Sequence, residues 1–389
     1  MEAQFSPGPR KLLQGMLGQK TKAELIIKAL NQCADYKLKT IPKKNGSLRK
    51  LYVPPTDLKK LQRLLLRNFF YLFKSKISLT MHGFLPGRSI VSNANSHKDK
   101  SWKHVTRLDL KDAFPSVKAE NIRSIFQEYL FQEIADYADQ YRERKLKPRK
   151  WFKKIYHLHP IFPSRRVRWF RRLIINNLDS DFPWDITARF IEHLVTLTTY
   201  QGALPQGAPT SPFLLNLVLS HLKIPENISR QLNEEAYDHA LSIYADDIVI
   251  STKKEITRDM LGKLISTIEA SGTFTVNREK TIQSKRRQID PLITGLRVAK
   301  RFNSRGGRIN NKVIVPKKKI LAIRSLIHQA TIDPSADKDN RVAGYIAFLK
   351  GVYPKPEGYP KGRIIGDIPP AVLKPYLKYL KSLDSRPTS

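Results

Sequence analysis

Two adjacent carboxylates, Asp246 and Asp247, interrupt good strand material in the stretch 241–251, LSIYADDIVIS. Two acids this close do not both ionise cheaply unless a cation lies beside them. A third, Asp109, falls near the end of a short strand-like run in HVTRLDLKDAFPSV (104–117), a common position for chemistry on α/β sheets. The natural guest of three such carboxylates is Mg²⁺, which takes octahedral oxygen ligands and combines one or two carboxylates with substrate phosphates. Two such ions, with Mn²⁺ as a substitute, can clamp the attacking and leaving oxygens of an in-line phosphoryl displacement. The chemistry that suits the pattern is nucleotidyl transfer. Each residue alone has a plainer reading, an acidic hairpin for the doublet and a turn or cap for Asp109.

The elements that must position these acids are legible around them. Residues 240–244 and 248–251 read as two short strands with Ala245, Asp246 and Asp247 at their junction. In 257–272, Leu261, Leu264, Ile265 and Ile268 fall at helical spacing and Gly272 closes the run,. In QGALPQGAPTSPFLLNLVLSHL (201–222), Gly202, Pro205, Gly207 and Pro209 force an irregular loop whose glycines let another backbone approach closely,. Ser211 is the expected N-cap of the apolar helix that follows, with Pro212 at its first position. Upstream, YKLKTIPKKNGSLRKLYVPP (36–55) sets Asn45-Gly46 between two strand-like runs, which predicts a hairpin with a type I′ turn,. Thr56 is the expected N-cap of a helix carrying Leu58, Leu61 and Leu65 to about residue 73,. Lys43, Lys44, Arg49 and Lys50 make that hairpin either a solvated basic surface or a flap that grips a triphosphate. Strand–helix, helix, hairpin, helix, strand is an order that suits a ferredoxin-like α+β sheet.

Charge narrows the partner. The 389 residues hold 70 Lys plus Arg against 34 Asp plus Glu, a formal net charge of +36 and a pI near 10.2. An anionic partner relieves that self-repulsion, and nucleic acid leads because each neutralised phosphate releases counterions. A membrane surface is the rival, but no run of about 18 apolar residues occurs, and the first residues lack the apolar region of a signal peptide,. A lone cysteine, Cys33, rules out an intramolecular disulfide and a multi-cysteine zinc site,. The expectation is a soluble, cytoplasmic protein with no membrane partner. Between 141 and 172, thirteen Lys and Arg stand against one acid, Glu143, with Tyr141, Trp151, Phe152, Tyr156, Phe162, Trp169 and Phe170 interleaved. That mixture fits phosphate contact plus base stacking.

The ordered set of motifs resembles the reverse transcriptases. Tyr244-Ala-Asp-Asp247 looks like their YxDD box. Asp109 followed five residues later by Phe114 is similar to their first palm motif, and LPQGAPTSP (204–212) resembles the next. Asn277-Arg-Glu-Lys-Thr281 is similar to a later palm motif whose lysine approaches the triphosphate. Within that family, Asn93-Ala-Asn-Ser-His97 fits the NAxxH signature of retron reverse transcriptases. Ile293-Thr-Gly295 stands where those enzymes carry Val-Thr-Gly.

The resemblance implies a right-hand polymerase. Its fingers would span 1–105, its palm 106–126 and 196–299, a basic aromatic insertion 127–195 and a mainly helical thumb 300–389. It implies Asp109, Asp246 and Asp247 as metal-binding catalytic residues, and Arg49, Phe114, Gln206 and Lys280 around the deoxynucleotide. Asn93, His97, Gly207, Lys317, Lys318, Lys319 and Arg324 would meet template or RNA, with Ile320, Ile323 and Ile327 turned to the thumb core. A retron enzyme binds a structured non-coding RNA and primes from an internal 2′-hydroxyl. It makes single-stranded DNA joined to RNA by a branch, and acts in antiphage defence with an accessory effector protein. The rivals are another bacterial defence or group II intron-like reverse transcriptase, and a non-catalytic RNA-binding protein on a polymerase scaffold. An RNA-dependent RNA polymerase is disfavoured by Phe114 and by Ala245, where viral RNA polymerases usually have Gly. In this family the aromatic at 114 lies beneath the incoming sugar and excludes a 2′-hydroxyl. Phe114→Ala is therefore expected to raise ribonucleotide incorporation in primer extension, and unchanged sugar selectivity would remove that role.

Overall fold

The computed structural model describes residues 23–42, 46, 48–130, 184–285, 291–302, 308–353 and 370–384, together with Leu13 and Leu17. The basic aromatic stretch 141–172 lies outside the described residues. The helices are α1 (Ala23–Asn31), α2 (Thr56–Phe73), α3 (Ile90–Asn95), α4 (Ala113–Ser116), α5 (Trp184–Thr198), α6 (Ser211–His221), α7 (Ile224–Glu234), α8 (Arg258–Glu269), α9 (Lys317–Ile332), α10 (Ala336–Val352) and α11 (Pro370–Asp384). The strands are β1 (Lys37–Pro42), β2 (Leu48–Val53), β3 (His104–Asp109), β4 (His239–Tyr244), β5 (Asp247–Thr252), β6 (Ile282–Lys285), β7 (Leu292–Ile293), β8 (Leu296–Phe302) and β9 (Arg308–Ile314). Residues 119–130 are also helical. No described helix is long and apolar enough to cross a membrane. The chain divides into two compact units, one of 1–85, 109–231 and 258–279, the other of 86–108, 232–257 and 280–389.

The first unit is organised by α2. Leu58, Leu61, Leu65, Phe69, Leu72 and Phe73 recur at helical spacing and are all buried,. Phe69 and Phe73 meet Phe126 at ring centroid distances of 5.3 and 6.1 Å. Thr56 is the first helical residue rather than the N-cap, because Pro55 holds that place with φ −57° and ψ 162° and no capping side chain. The fixed φ of proline sets the entry instead. Gln62, buried in the same helix, donates to Tyr36 Oη at 2.9 Å and to the Leu197 carbonyl at 2.8 Å. It thereby ties the root of the β1–β2 hairpin to α5. That hairpin pairs Lys37 with Val53 through Pro42 with Leu48. The expected type I′ turn falls in 43–47, of which only Gly46 is among the described residues.

The loop 201–210 closes on the hairpin through its backbone. Tyr52 N–H donates to the Gln206 carbonyl at 2.8 Å. Gly207 sits at φ +124°, where a Cβ would meet the Tyr52 carbonyl oxygen at 2.9 Å. The expected close backbone approach thus occurs at Gly207. Helix α6 starts one residue earlier than predicted, with Thr210 as N-cap, Ser211 first and Pro212 second. Residues 213–219 are buried all round, so this helix runs through the core rather than along its surface.

The second unit holds a four-stranded sheet in the order β4-β5-β3-β6, with antiparallel pairing of β4 to β5 and β3 to β6. A three-stranded sheet, β7-β8-β9, follows. Helices α9, α10 and α11 pack on a shared core that includes Ile320, Ile323, Ile327, Val342, Ile346 and Tyr379. The predicted inward face of α9 is the observed one. Tyr353 Oη accepts from Val315 N–H at 3.0 Å and Tyr379 Oη donates to Asp339 at 2.6 Å, so two phenols pin these helices to their surroundings. Helices with an antiparallel sheet make this the expected α+β class.

At Gly207 an L-residue meets both an unfavourable φ and a backbone oxygen. Gly207→Ala is expected to cost about 1–3 kcal/mol of stability, read as a lower thermal or urea midpoint. An unchanged midpoint would mean that the loop is not held against β2.

Candidate active site

The paired carboxylates sit where two buried strands meet. Tyr244 pairs with Asp247, leaving Ala245 and Asp246 as the turn. Leu241, Ile243, Ile248 and Ile250 are buried and anchor one face of the hairpin. Ala245 lies in the left-handed region at φ +57°, a conformation that costs a non-glycine residue roughly 1–2 kcal/mol. Asp246 and Asp247 are both half-buried. Arg107 answers Asp247: its terminal guanidinium nitrogen lies 3.0 Å from Oδ1 and 3.2 Å from Oδ2. This pair, with side chains 30 % and 24 % exposed, places a cation of the chain itself against the acidic doublet. Arg107 went unnoticed in the sequence, although it lies two residues before Asp109 and so on the same face of β3.

Asp109 is the last residue of β3, and β3 lies beside β5 in the sheet. Its carboxylate is half-buried and its carbonyl accepts from Asn277 N–H at 2.7 Å. Lys111 N–H donates to the Thr275 carbonyl at 2.9 Å, so the chain just past Asp109 is pinned to the segment before Lys280. Phe114 occupies the short helix α4 and is half-buried, unlike a core phenylalanine. Lys280 is exposed in the 3₁₀ turn Arg278–Lys280. Arg49 is exposed on β2 opposite Ile41. Gln206 is half-buried with its carbonyl committed to Tyr52, and Gly207 is exposed.

Two expected RNA contacts are corrected by burial. Asn93 and His97 are each 0 % exposed, so neither presents a surface to a template. Asn93 Nδ2 lies 3.4 Å from Thr294 Oγ1, whose hydroxyl donates to the Ile90 carbonyl at 3.2 Å. His97 bridges Ser251 Oγ at 2.8 Å through Nδ1 and Ser242 Oγ at 2.7 Å through Nε2. A capping box between Ser89 and Ser92 starts α3 and so fixes the segment that carries both residues,. The Lys319 ammonium lies 3.9 Å above the Phe348 ring on a half-buried side chain. Lys317, Lys318 and Arg324 are exposed on α9. A groove of about 800 Å³ beside them is lined by Arg324, His328, Lys374 and Lys378, with Leu321 and Ile332 also exposed there.

The hard carboxylate oxygens of this hairpin and of Asp109 suit Mg²⁺ in kind. Among the described residues, no three Asp, Glu, His or Cys side chains already form a cage for an ion. Covalent catalysis by the single thiol is disfavoured: burial and nearby Asp35 push the Cys33 pKa up to about 12.

The family described as reverse transcriptase (RNA-dependent DNA polymerase) matches residues 41–296. Retron Ec73 reverse transcriptase of Escherichia coli is 27% identical over 320 residues, 81% of this chain and 82% of that one. Retron Mx65 reverse transcriptase of Myxococcus xanthus is 26% identical over 318 residues, and there the match spans 81% of this chain but only 61% of the relative. Retron Ec86 reverse transcriptase of Escherichia coli is 26% identical over 323 residues, 82% of this chain and 76% of that one. Among solved structures, telomerase from Candida albicans in complex with a telomeric RNA fragment aligns at a TM-score of 0.44 and 12% identity, covering 91% of this chain and 57% of that one.

Removing the guanidinium leaves Asp247 beside Asp246 without its counter-charge. Arg107→Gln is expected to lower the melting midpoint in EDTA by the equivalent of about 1–3 kcal/mol. Millimolar Mg²⁺ should recover part of that loss. A deficit of the same size with and without Mg²⁺ would separate Arg107 from the charge balance of the doublet.

Proposed function

Because the chain belongs to the reverse transcriptase family, is of the bacterial retron type and is an RNA-directed DNA polymerase, we propose that it copies part of a cognate structured RNA from a primer within that RNA. Reverse transcriptases are generally dependent on divalent metal. In the proposed reaction a primer hydroxyl attacks the α-phosphorus of a deoxynucleoside triphosphate. One P–O bond forms and the bond to the leaving pyrophosphate breaks. Bound Mg²⁺ would supply charge neutralisation at the attacking and leaving oxygens. Asp109 and Asp246 would hold it through their carboxylates, and Asp247 would join them or remain with Arg107.

The other roles follow from chemistry and exposure. Lys280 and Arg49 present unburied cations suited to triphosphate oxygens. Phe114 offers a half-buried ring for the sugar to lie against. Gln206 and Gly207 belong to a loop whose backbone is fixed, which suits a surface that a base pair must meet in a constant place. Lys317, Lys318 and Arg324, with the groove that continues to Lys374 and Lys378, suit an RNA backbone. The single observation that carries the catalytic reading is the two-residue turn that presents Asp246 and Asp247 between buried strands, beside the strand that ends in Asp109.

Retron priming rests on the resemblance of two short signatures. Their contact through Asn93 and Thr294 supports treating them as one feature rather than two coincidences. On this reading the DNA product stays joined to the RNA by a 2′ branch. The unit would act in the cytoplasm in antiphage defence, with an accessory effector protein. Expression with the native flanking DNA, followed by RNase and debranching enzyme, tests it. A discrete DNA band is expected that shifts on debranching and is absent for Asp246→Asn. DNA indifferent to debranching would discard 2′ priming, and DNA made by Asp246→Asn would discard the catalytic assignment.

A further inference from the structure

His97 has no surface left for RNA, yet it joins both strands that carry the acidic doublet. We propose that His97 is a positioning residue for DNA synthesis, a buried strut that fixes the β4–β5 hairpin and so holds Asp246 and Asp247 in register. This rests on the catalytic role given to that doublet.

The geometry of the pairing makes the strut specific. Ser242 lies opposite Val249, and Ala240 lies opposite Ser251. Ser242 and Ser251 are therefore diagonal neighbours on one face of the hairpin, the face that also carries Tyr244 and Asp247. Both serines and His97 are 0 % exposed. A buried hydroxyl without a partner is costly, as is a buried imidazole nitrogen. One histidine satisfies both hydroxyls at 2.7 and 2.8 Å and uses both of its ring nitrogens in doing so. In the neutral ring one nitrogen donates and the other accepts, so one serine must accept and the other donate. The two bonds are directional, and together they brace the offset that the backbone pairing and the two-residue turn establish,.

The strut matters because of what lies at the hairpin's end. Two residues past Ser242 on β4, the chain enters a turn with Ala245 left-handed at φ +57°. Strained turns persist only where their surroundings over-determine them. The segment that supplies His97 is itself anchored at its other end. Asn93 reaches Thr294 in the β7–β8 turn, another left-handed residue, at φ +47°. The five residues 93–97 thus connect the catalytic hairpin to the turn that carries the second signature. A role in positioning gives these buried polar groups a purpose that direct RNA contact does not.

The test separates positioning from RNA binding and from bulk stability. Wild-type nucleotide addition and its loss in Asp246→Asn are measured first; activity surviving in Asp246→Asn would indict the catalytic assignment rather than the strut. His97→Phe keeps a ring and removes both bonds. It is expected to slow single-turnover nucleotide addition on saturating primer–template by about 10- to 100-fold, with RNA affinity unchanged and the melting midpoint lowered. The combined variant His97→Phe/Ser242→Ala/Ser251→Ala strands no hydroxyl. It is expected to recover much of the midpoint while its rate stays low. Loss of RNA affinity with an unchanged rate on bound complex would overturn the proposal in favour of RNA contact. Recovery of the rate together with the midpoint in the triple variant would overturn it in favour of plain stability. Should His97→Phe alone fail to fold, the triple variant decides, and a wild-type rate in it sinks the strut.

Discussion

Repulsion between two neighbouring carboxylates is the constraint on which this structure turns. Unit charges about 4 Å apart repel by about 1 kcal/mol in water and about 4 kcal/mol at the effective dielectric of a protein surface. Asp246 and Asp247 cannot diffuse away from that cost, because their backbone is held by buried strands. Leu241, Ile243, Ile248 and Ile250 hold one face. On the other, the His97 bridge and the Arg107 guanidinium hold Ser242, Ser251 and Asp247. Arg107 lowers the repulsion in the absence of metal, and the rigidity of the hairpin keeps the acids where a cation can serve them.

The first unit solves a different problem, the fixing of an irregular loop without side chains. Residues 201–210 have little regular structure, yet Tyr52 N–H and the Gln206 carbonyl join them to β2. The missing Cβ of Gly207 permits the approach. The Tyr200 ring lies tilted against those of Tyr36 and Tyr52, at centroid distances of 4.5 and 5.3 Å, so the same hairpin root is gripped by rings as well as by amides. A backbone surface held this way offers constant shape, the property required of a surface that must accept any base pair.

Most of the sheet and the acidic tip could be read from the sequence, because apolar residues flank the doublet and Asp109 follows a strand-like run. Observed β4 starts one residue earlier than expected and ends where expected, and β5 is one residue longer at each end. Helix starts slipped by one at Pro55 and Thr210, since propensity ranks capping residues without knowing which backbone carbonyl is already extended. The Asn-Gly signal located the first hairpin, whose strands pair from Lys37 with Val53 to Pro42 with Leu48. His97 and Asn93 were misjudged for a clearer physical reason. Short polar motifs in a loop-like segment resemble solvent-facing contacts, and their partners Thr294, Ser242 and Ser251 lie 145 to 201 residues away. Nothing periodic marks a polar residue that is buried because another polar residue waits for it.

The same distinction applies to the large positive charge. Some of the cations are already engaged by groups of the chain itself: Arg107 on Asp247, Lys319 over Phe348 and, at the surface, Arg123 on Glu192 at 2.6 Å. Each of these already has a partner within the chain. Others, such as Lys317, Lys318, Arg324, Lys374 and Lys378, are exposed along helices whose opposite faces are buried. Exposed cations of this second group are well placed to exchange small counterions for phosphates, the salt-dependent part of RNA affinity. Net charge therefore says that an anionic partner is expected, while burial says which cations are left to meet it.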